Sequence, residues 1–144
     1  STRLASCESL VSLRQYRPFL EKHAVDVAII DVPWNGFSQA VQIGRMAECY
    51  EINIAPHNYY SHLADYHSLH LCAVLPNVRI MEIDIDDVPW KDELATAKPE
   101  IVDGYMKIPS GPGWGLAINE DVARAHPWTP GHSVAKNLPP ARSY

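Results

Sequence analysis

Residues 25–31 of the chain read Val-Asp-Val-Ala-Ile-Ile-Asp, a stretch that is apolar at all but two positions. Such a run predicts a strand buried on both faces of a parallel sheet, because a strand with one wet face would alternate apolar and polar residues. Similar stretches begin at residues 52 and 78, which are 27 and then 26 residues further along the chain. This regular spacing predicts repeated strand–helix units, and therefore parallel strands joined by right-handed crossovers.

Helical patterns fill the intervals between the predicted strands. Residues 38–47 and 62–75 carry apolar residues at helical spacing, and Ser38 is a suitable N-cap for the first helix after a Pro-Trp-Asn-Gly turn. The same order fits once more before residue 25, with a strand at 3–6 and a helix at 12–21. Pro18 must then lie in the first turn of that helix or bend it. The fourth predicted strand covers residues 78–83.

The pattern changes after residue 84, which divides the chain into three predicted regions. Residues 1–84 hold the strand–helix units. Residues 85–126 form a C-terminal segment with a short β-hairpin, whose turn is Asp103-Gly104, and a short helix that follows Asn119. Residues 127–144 are a Pro-rich tail with few apolar side chains, which we expect to lie on another surface or to be loosely held.

Composition excludes several classes of protein. The 144 residues are 47% hydrophobic and 20% charged, which is typical of a folded domain and not of a disordered or collagen-like chain. A net charge of −5 without a stripe of Lys and Arg argues against nucleic acid as a partner. The sequence has no long apolar run and no signal peptide, which argues against a membrane. Three cysteines without a Cys-x-x-Cys motif favour the reducing cytoplasm over a disulfide framework.

A polar side chain suited to chemistry ends or follows each predicted strand. Glu8 follows the first strand, Asp31 ends the second, His57 ends the third, and Glu82 lies near the end of the fourth. Any one of them is well explained as a turn former or helix cap, but four in consecutive units converge on the edge where β/α barrels place their active sites. A small doubly wound sheet is the alternative fold, although the Gly-x-Gly-x-x-Gly turn of dinucleotide-binding sheets is absent.

These residues and their order resemble one enzyme family. The matching motifs are Cys7-Glu8, Asp31 with Gly36, Ala55-Pro56-His57-Asn58, Pro76-Asn77, Met81-Glu82, Asp103-Gly104 and the stretch from Pro109 to Gly115. They cover residues 1–126 and are similar to the C-terminal part of the mandelate racemase and muconate lactonizing enzyme branch of the enolase superfamily. Within that branch, the Pro-His-Asn turn and the 25 residues from His57 to Glu82 favour acid-sugar dehydratases and sugar-lactone cycloisomerases.

The resemblance implies an α/β fold that is the C-terminal half of a (β/α)8 barrel, with strands five to eight and a segment that packs on a capping domain. A complete barrel of this type needs roughly 200–250 residues. We therefore expect the N-terminal barrel half and the capping domain to lie outside this chain, and the intact enzyme to be a homo-oligomer. The family binds an essential Mg²⁺ through three carboxylates, of which only Glu8 is matched here. Cys7 departs from the family pattern, because glycine usually precedes the metal-binding glutamate.

The implied reaction removes a proton from the carbon next to the carboxylate of a small acid, such as an acid sugar. Magnesium neutralises the enolate charge, and histidine titrates in the range that suits the base. His57 is therefore the expected base, Asp31 its hydrogen-bonded partner, and Glu82 a protonated donor to the developing oxyanion. In a dehydratase, His57 also protonates the departing hydroxyl group.

Five residues in the loops after Asp31 and His57 are weaker candidates for contact with the substrate: Trp34, Asn35, Asn58, Tyr59 and Tyr60. The two tyrosines are otherwise expected to pack between neighbouring loops.

Three histidines of the helix at residues 62–75 invite a zinc-site interpretation: His62, His67 and His70. They do not share one helix face, so we favour helix-surface or substrate-rim histidines. Trp90 and Trp114 are expected to anchor the C-terminal segment.

Two classes of function stay open. The first is a Mg²⁺-dependent lyase or isomerase, in which the chain carries the acid/base half of the site. The second is a half-barrel without catalysis of its own, or a binding protein that kept the scaffold. The residues that separate a dehydratase from a racemase or a cycloisomerase lie on a strand that the chain does not match. We expect the isolated chain to show no turnover.

Overall fold

Strands and helices alternate through the first half of the chain. The computed structural model describes residues 2–85 and 88–127. Its elements are, in order, β1 (Ala5–Ser6), α1 (Leu13–Glu21), β2 (Val27–Asp31), α2 (Val32–Asn35), α3 (Phe37–Cys49), β3 (Asn53–His57), α4 (His62–Val74), a 3-10 turn (Lys91–Glu93), β4 (Ile101–Val102), β5 (Tyr105–Met106) and α5 (Glu120–Ala125). No helix in these ranges is both long enough and apolar enough to cross a membrane.

The first three strands form one parallel sheet in chain order. β1 pairs with β2 and β2 pairs with β3, both in parallel. The register of the second pair sets Val27 opposite Asn53 and Asp31 opposite His57, so the two strands end level with each other. This order confirms the predicted parallel strand–helix units.

The hydrophobic core lies on one face of this sheet. Ala28 and Ile30 of β2 and Ile54 of β3 are fully buried there, together with the apolar side chains of the helices: Tyr16, Leu20, Ala40, Ile43, Ala47 and Leu71. Side chains at the alternate positions, such as Ile29 and Ala55, point to the other face and line a cavity. A doubly wound sheet covers both faces with helices, whereas the described helices cover one, as in a barrel wall.

The prediction of a regular fourth strand at residues 78–83 is wrong. Residues 78–83 run beside β3 and share with it a single parallel bridge, Ile54 to Val78. The Arg79 amide donates to the Ile54 carbonyl at 2.8 Å, and the Glu82 amide donates to the Pro56 carbonyl at 3.3 Å. Within the described residues, no strand pairs with the far side of this segment, so it is held from one side only. The segment thus runs parallel to β3, as predicted, but does not form the continuous backbone hydrogen bonds of a strand.

The start of α3 also differs from the prediction. Gly36, at φ 73°, is the N-cap, and Ser38 lies inside the helix instead of capping it. The predicted turn before it is a helical turn, α2, because the Asp31 carboxylate caps it by accepting the Trp34 amide. Glycine at position 36 adopts this positive φ without strain and lets the chain turn from α2 into α3. Pro18 lies in the second turn of α1, not in the first.

The C-terminal segment contains both elements that were predicted for it. β4 and β5 pair in antiparallel fashion around Asp103 and Gly104, which have φ values of 52° and 81°. α5 begins after Asn119, whose side chain accepts the Val122 amide at 3.4 Å. The division of the chain at residues 85 and 127 stays a prediction, and the Pro-rich tail lies, from residue 128 onward, outside the described residues.

Candidate active site

The centre of the site is a hydrogen-bonded pair at the carboxyl ends of β2 and β3. Asp31 and His57 are register partners, and Nδ1 of the imidazole lies 2.9 Å from Oδ2 of the carboxylate. Asp31 is buried, with 1% of its surface exposed, whereas a quarter of the His57 side chain is exposed. Because the carboxylate accepts the Nδ1 hydrogen, the neutral imidazole keeps its free electron pair on Nε2.

Asp31 is held by two further donors. Its Oδ1 accepts the Trp34 amide at 2.8 Å, and its Oδ2 accepts the hydroxyl of Tyr60 at 2.7 Å. A buried carboxylate is costly unless donors surround it, and these three contacts meet that requirement. They also fix the direction in which Asp31 faces His57.

Glu82 lies on the other side of the imidazole. Its Oε2 is 3.9 Å from Nε2 of His57 and accepts the backbone amide of Asn58 at 2.9 Å. About half of the Glu82 side chain is exposed, at 51%. The two ring nitrogens of His57 therefore face two carboxyl groups, one buried and one open to solvent.

These groups open onto a cavity of about 560 Å³ on the face of the sheet opposite the core. Glu8, His57 and Glu82 line it, with apolar side chains from the strands between them: Ile29, Ala55, Ile80 and Met81. The structure thus brings three of the four predicted strand-end residues to one cavity, with Asp31 directly behind His57. A mostly apolar cavity with a few convergent polar groups is typical of a small-molecule site.

The turn that carries Glu8 is strained at the preceding residue. Cys7 has a φ of 101°, a backbone conformation that glycine adopts freely and other residues rarely adopt. Its side chain is buried in the core at 5% exposure, and burial, with a smaller effect from Glu8, raises the pKa of its thiol to about 11. The positive φ gives a physical reason for the glycine that the resemblance implies at this position.

The described residues do not make a metal site by themselves. No group of three or more His, Cys, Asp or Glu side chains among them is arranged to hold an ion. Glu8 offers one hard oxygen ligand at the cavity, whereas Mg²⁺ takes six ligands, part of them water.

Two of the predicted substrate contacts, Asn35 and Asn58, are buried and hydrogen-bonded within the protein, and their contact with a substrate stays a prediction. Asn35 is buried: it accepts the Ser12 amide at 2.8 Å and donates to the Asp31 carbonyl at 2.9 Å. Asn58 is also buried, and its amide donates to the carboxylate of Asp65. Both side chains are used in holding loops together, because a buried amide needs partners inside the protein.

The other three predicted contacts differ in their surroundings. Trp34 and Tyr59 are exposed, at 45% and 56%, and neither lines the cavity. Contact between these two side chains and a substrate stays a prediction. Tyr60 points to the dyad of Asp31 and His57, because its hydroxyl donates to Asp31.

A buried polar network behind Asn58 was missed by the sequence analysis. Asp65 of α4 is fully buried, and burial raises the pKa of its carboxyl, opposed by hydrogen bonds from His62 and Asn58. His62 lies between two carboxylates, with Nδ1 at 3.1 Å from Asp65 and Nε2 at 2.8 Å from Asp92. The expectation of a surface or rim histidine is therefore wrong for His62, which joins α4 to the C-terminal segment. The spacing of three residues between His62 and Asp65 in the first turn of a helix was the available signal.

Trp114 anchors the C-terminal segment, as predicted, whereas the ring contact of Trp90 lies within that segment. Trp114 packs edge-on against Phe37 of α3 and against His67 and His70 of α4, with ring centroids 4.5–5.2 Å apart. Trp90 stacks on His126 at 4.2 Å. His67 and His70 thus pack against an aromatic ring away from the cavity.

Comparison with known proteins identifies the family. The model of the Enolase C-terminal domain-like family matches residues 1–122, so the chain belongs to this family. Its α/β architecture, with parallel strands in chain order and helices on one face, is part of the family's barrel, which confirms the predicted fold class.

The relatives are several enzymes of the enolase superfamily. D-xylonate dehydratase of Haloferax volcanii is 31% identical over 127 residues, which make up 88% of this chain and 31% of that enzyme. D-gluconate dehydratase of Thermoproteus tenax is 29% identical over 85% of this chain and 25% of that enzyme. A solved structure from Burkholderia xenovorans strain LB400, described as an L-alanine-DL-glutamate epimerase bound to magnesium and fumarate, is 46% identical with a TM-score of 0.82. That match covers 87% of this chain and 31% of the other. The chain thus spans less than a third of each relative's length.

The strain at Cys7 gives a prediction about stability. Cys7→Gly should be more stable than Cys7→Ala by about 1 kcal/mol, because both variants lose the thiol but only glycine relieves the positive φ. Urea unfolding of the complete protein that carries these residues measures the difference. As a matched control, Cys72 lies inside α4, where alanine should be the more stable of the two. Equal stability of the two Cys7 variants would show that the turn is unstrained.

Proposed function

We propose that this chain carries the acid/base half of an enzyme that dehydrates an acid sugar, an aldonate or an aldarate. The observation that carries the proposal is the Asp31–His57 hydrogen bond, which leaves Nε2 of His57 facing the cavity and Glu82. The dehydratase relatives support this substrate class, and the cavity's mixture of apolar walls and carboxyl groups is suited to a small polar acid. Because the chain covers under a third of those enzymes, the activity belongs to the complete protein.

In this proposal His57 removes the proton from the carbon next to the substrate carboxylate. Nε2 takes the proton, and the ring becomes an imidazolium. Asp31, already hydrogen-bonded to Nδ1 at 2.9 Å, keeps the ring in the productive tautomer and stabilises the positive charge that forms. No rearrangement of Asp31 is needed during the reaction, because Trp34 and Tyr60 hold it in place.

The same proton then serves the second half of the reaction. His57 returns it to the hydroxyl group on the next carbon, which leaves as water while the electrons of the broken C–H bond form a carbon–carbon double bond. The resulting enol rearranges to a 2-keto-3-deoxy acid. His57 acts first as base and then as acid. It can reach both groups from one position, because the hydrogen and the departing hydroxyl are attached to neighbouring carbons.

Glu82 is proposed to donate a hydrogen bond to the oxygen that becomes negative. Its Oε2 already accepts the Asn58 amide, and within the described residues its Oε1 has no hydrogen-bond partner. A protonated Oε1 can therefore point into the cavity while Oε2 stays fixed. A donor placed in advance at the developing charge lowers the barrier more than one that must reorient.

We also propose that Glu8 is one ligand of a magnesium ion that the complete protein binds. The solved relative is described as bound to magnesium, and Glu8 reaches the same cavity as His57. When bound, such an ion neutralises negative charge on the substrate carboxylate. Its remaining protein ligands would come from the part of the family's barrel that this chain does not cover.

An isomerase is the second candidate. The relative described as an epimerase, at 46% identity, favours a reaction in which a proton is removed from one face of a carbon and another is delivered to the opposite face. The Asp31–His57 pair can act on one face in either reaction, and epimerisation needs a second acid or base group on the other face. The products separate the two, because dehydration forms a keto acid and epimerisation only inverts one carbon.

The role of His57 gives the most direct prediction about activity. The complete protein, with Mg²⁺ and a panel of aldonates and aldarates, should convert at least one of them to a 2-keto-3-deoxy acid, followed by NMR. His57→Asn should lower kcat by at least about 100-fold, because the base and acid are lost together, while substrate affinity changes little.

His23→Asn is the control for that experiment. His23 follows α1, at the end of the sheet away from the cavity, and asparagine tolerates its positive φ of 46°. The variant should keep normal turnover. Full activity of His57→Asn on the converted substrate would contradict the proposal.

The metal proposal has a readout that does not require turnover. Titration of the complete protein with MgCl₂ in a calorimeter should show binding, and Glu8→Gln should weaken it by at least about tenfold. Glu48→Gln, which changes an exposed carboxyl on α3, should leave the affinity unaltered. Unchanged magnesium affinity in Glu8→Gln would remove Glu8 from the ligand set.

A further inference from the structure

Tyr60 and His57 use the same carboxylate oxygen. The hydroxyl of Tyr60 donates to Oδ2 of Asp31 at 2.7 Å, and Nδ1 of His57 lies 2.9 Å from that oxygen. The two rings meet edge to face, with centroids 6.0 Å apart and planes at 82°. Tyr60 therefore contacts both members of the dyad and lies outside the lining of the cavity.

The hydroxyl of Tyr60 remains a donor at every pH at which the site works. Burial raises the pKa of Tyr60 above its ordinary range, and the neighbouring Asp31 carboxylate raises it further. A tyrosinate next to Asp31 is thus strongly disfavoured. Oδ2 of Asp31 consequently has two donors, the phenol of Tyr60 and the imidazole of His57.

A hydrogen bond from Tyr60 alters what Asp31 offers to His57. The phenol hydrogen draws electron density from Oδ2, and this weakens the attraction between that oxygen and a positively charged imidazole ring. Loss of the phenol hydroxyl leaves His57 as the sole donor to Oδ2, so the carboxylate favours the imidazolium more strongly. The hydroxyl therefore acts against protonation of His57 while its geometry keeps Asp31 in place.

We propose that Tyr60 is a positioning residue that holds Asp31 against His57 and lowers the affinity of His57 for a proton. The inference rests on the proposed function in one respect, namely that His57 acts as a base. A base must be unprotonated when the substrate binds. A lower proton affinity of His57 keeps a larger fraction of its imidazole neutral at neutral pH.

The surroundings of His57 show why such a restraint is useful. Three carboxyl groups face the ring or its cavity: Asp31 from β2, Glu82 from the segment after α4, and Glu8 from the turn after β1. Each of them, when ionised, favours the imidazolium. Among the described residues, the Tyr60 hydroxyl and the Trp34 amide, which both donate to Asp31, act against this trend.

The test follows the His57 ring directly by NMR. Histidines labelled with ¹³C in the complete protein are titrated, and the His57 signal is assigned by its loss in His57→Asn. In Tyr60→Phe, the midpoint of the His57 titration should rise by about 0.5–1 pH unit, as expected for the loss of one hydrogen bond to a charged partner. Tyr66→Phe is the matched control, because it removes a hydroxyl that donates to the Lys98 carbonyl, and should leave the midpoint unchanged.

A second variant shows that the effect passes through Asp31. In an Asp31→Asn background, Tyr60→Phe should no longer raise the midpoint, whereas a general loosening of the loop would act in both backgrounds. A midpoint in Tyr60→Phe that stays within about 0.2 unit of the wild type, or falls, overturns the proposal. So does a shift of equal size in the Asp31→Asn background.

The readout is independent of turnover. If no acid sugar is converted but Tyr60→Phe raises the midpoint, the proposed reaction fails and the role of Tyr60 stands. If a substrate is converted, the acidic limb of kcat/KM against pH should move upward with the NMR midpoint. A rise in KM without movement of that limb would assign Tyr60 to substrate binding instead.

Discussion

The in-register parallel pairing of β2 with β3 is the constraint on which the site depends. The two strands lie level, so their last residues, Asp31 and His57, are direct neighbours. Side chains alternate between the faces of a strand, and a slip of one residue would turn His57 toward the helices and away from Asp31. The apolar residues Ala28, Ile30 and Ile54 prevent this slip, because they must remain in the core. Packing of the apolar side chains on one face of the sheet thus fixes the positions of Asp31 and His57 at its edge.

Two buried carboxylates support the site from behind. Asp31 binds His57, Tyr60 and the first turn of α2, and it links three consecutive parts of the chain. Asp65 binds Asn58, whose backbone amide holds Glu82. A buried charge that loses its donors is strongly destabilising, so each carboxylate forces the loops around it into one arrangement. The more exposed groups, His57 and Glu82, are consequently ordered by the residues behind them.

The sequence predicted the parts of this structure that depend on local patterns. Apolar runs and their regular spacing predicted four strands, of which three form the parallel sheet, and the polar residues at the strand ends, together with the family resemblance, predicted the Asp31–His57 contact. The failures depend on distant partners. His62 is buried because Asp92, thirty positions away, meets it, and no local pattern reveals that contact. Residues 78–83 have an apolar strand pattern, but among the described residues they form only one bridge with β3 and have no neighbour on their far side. For Tyr60 the sequence leaves open a pocket position and packing between loops, and its bond to Asp31 depends on the path of a loop.

We propose that this site removes the hydrogen next to a substrate carboxylate, and exchange with solvent measures that step without regard to the product. The complete protein is incubated in D₂O with Mg²⁺ and acid sugars, and the C2–H signal of each sugar is followed by proton NMR. We expect that signal to disappear for at least one acid sugar, by exchange for deuterium or by elimination, at a rate far above that of the uncatalysed reaction. A folded, magnesium-loaded protein that leaves the C2 hydrogen of every acid sugar in place would contradict this claim.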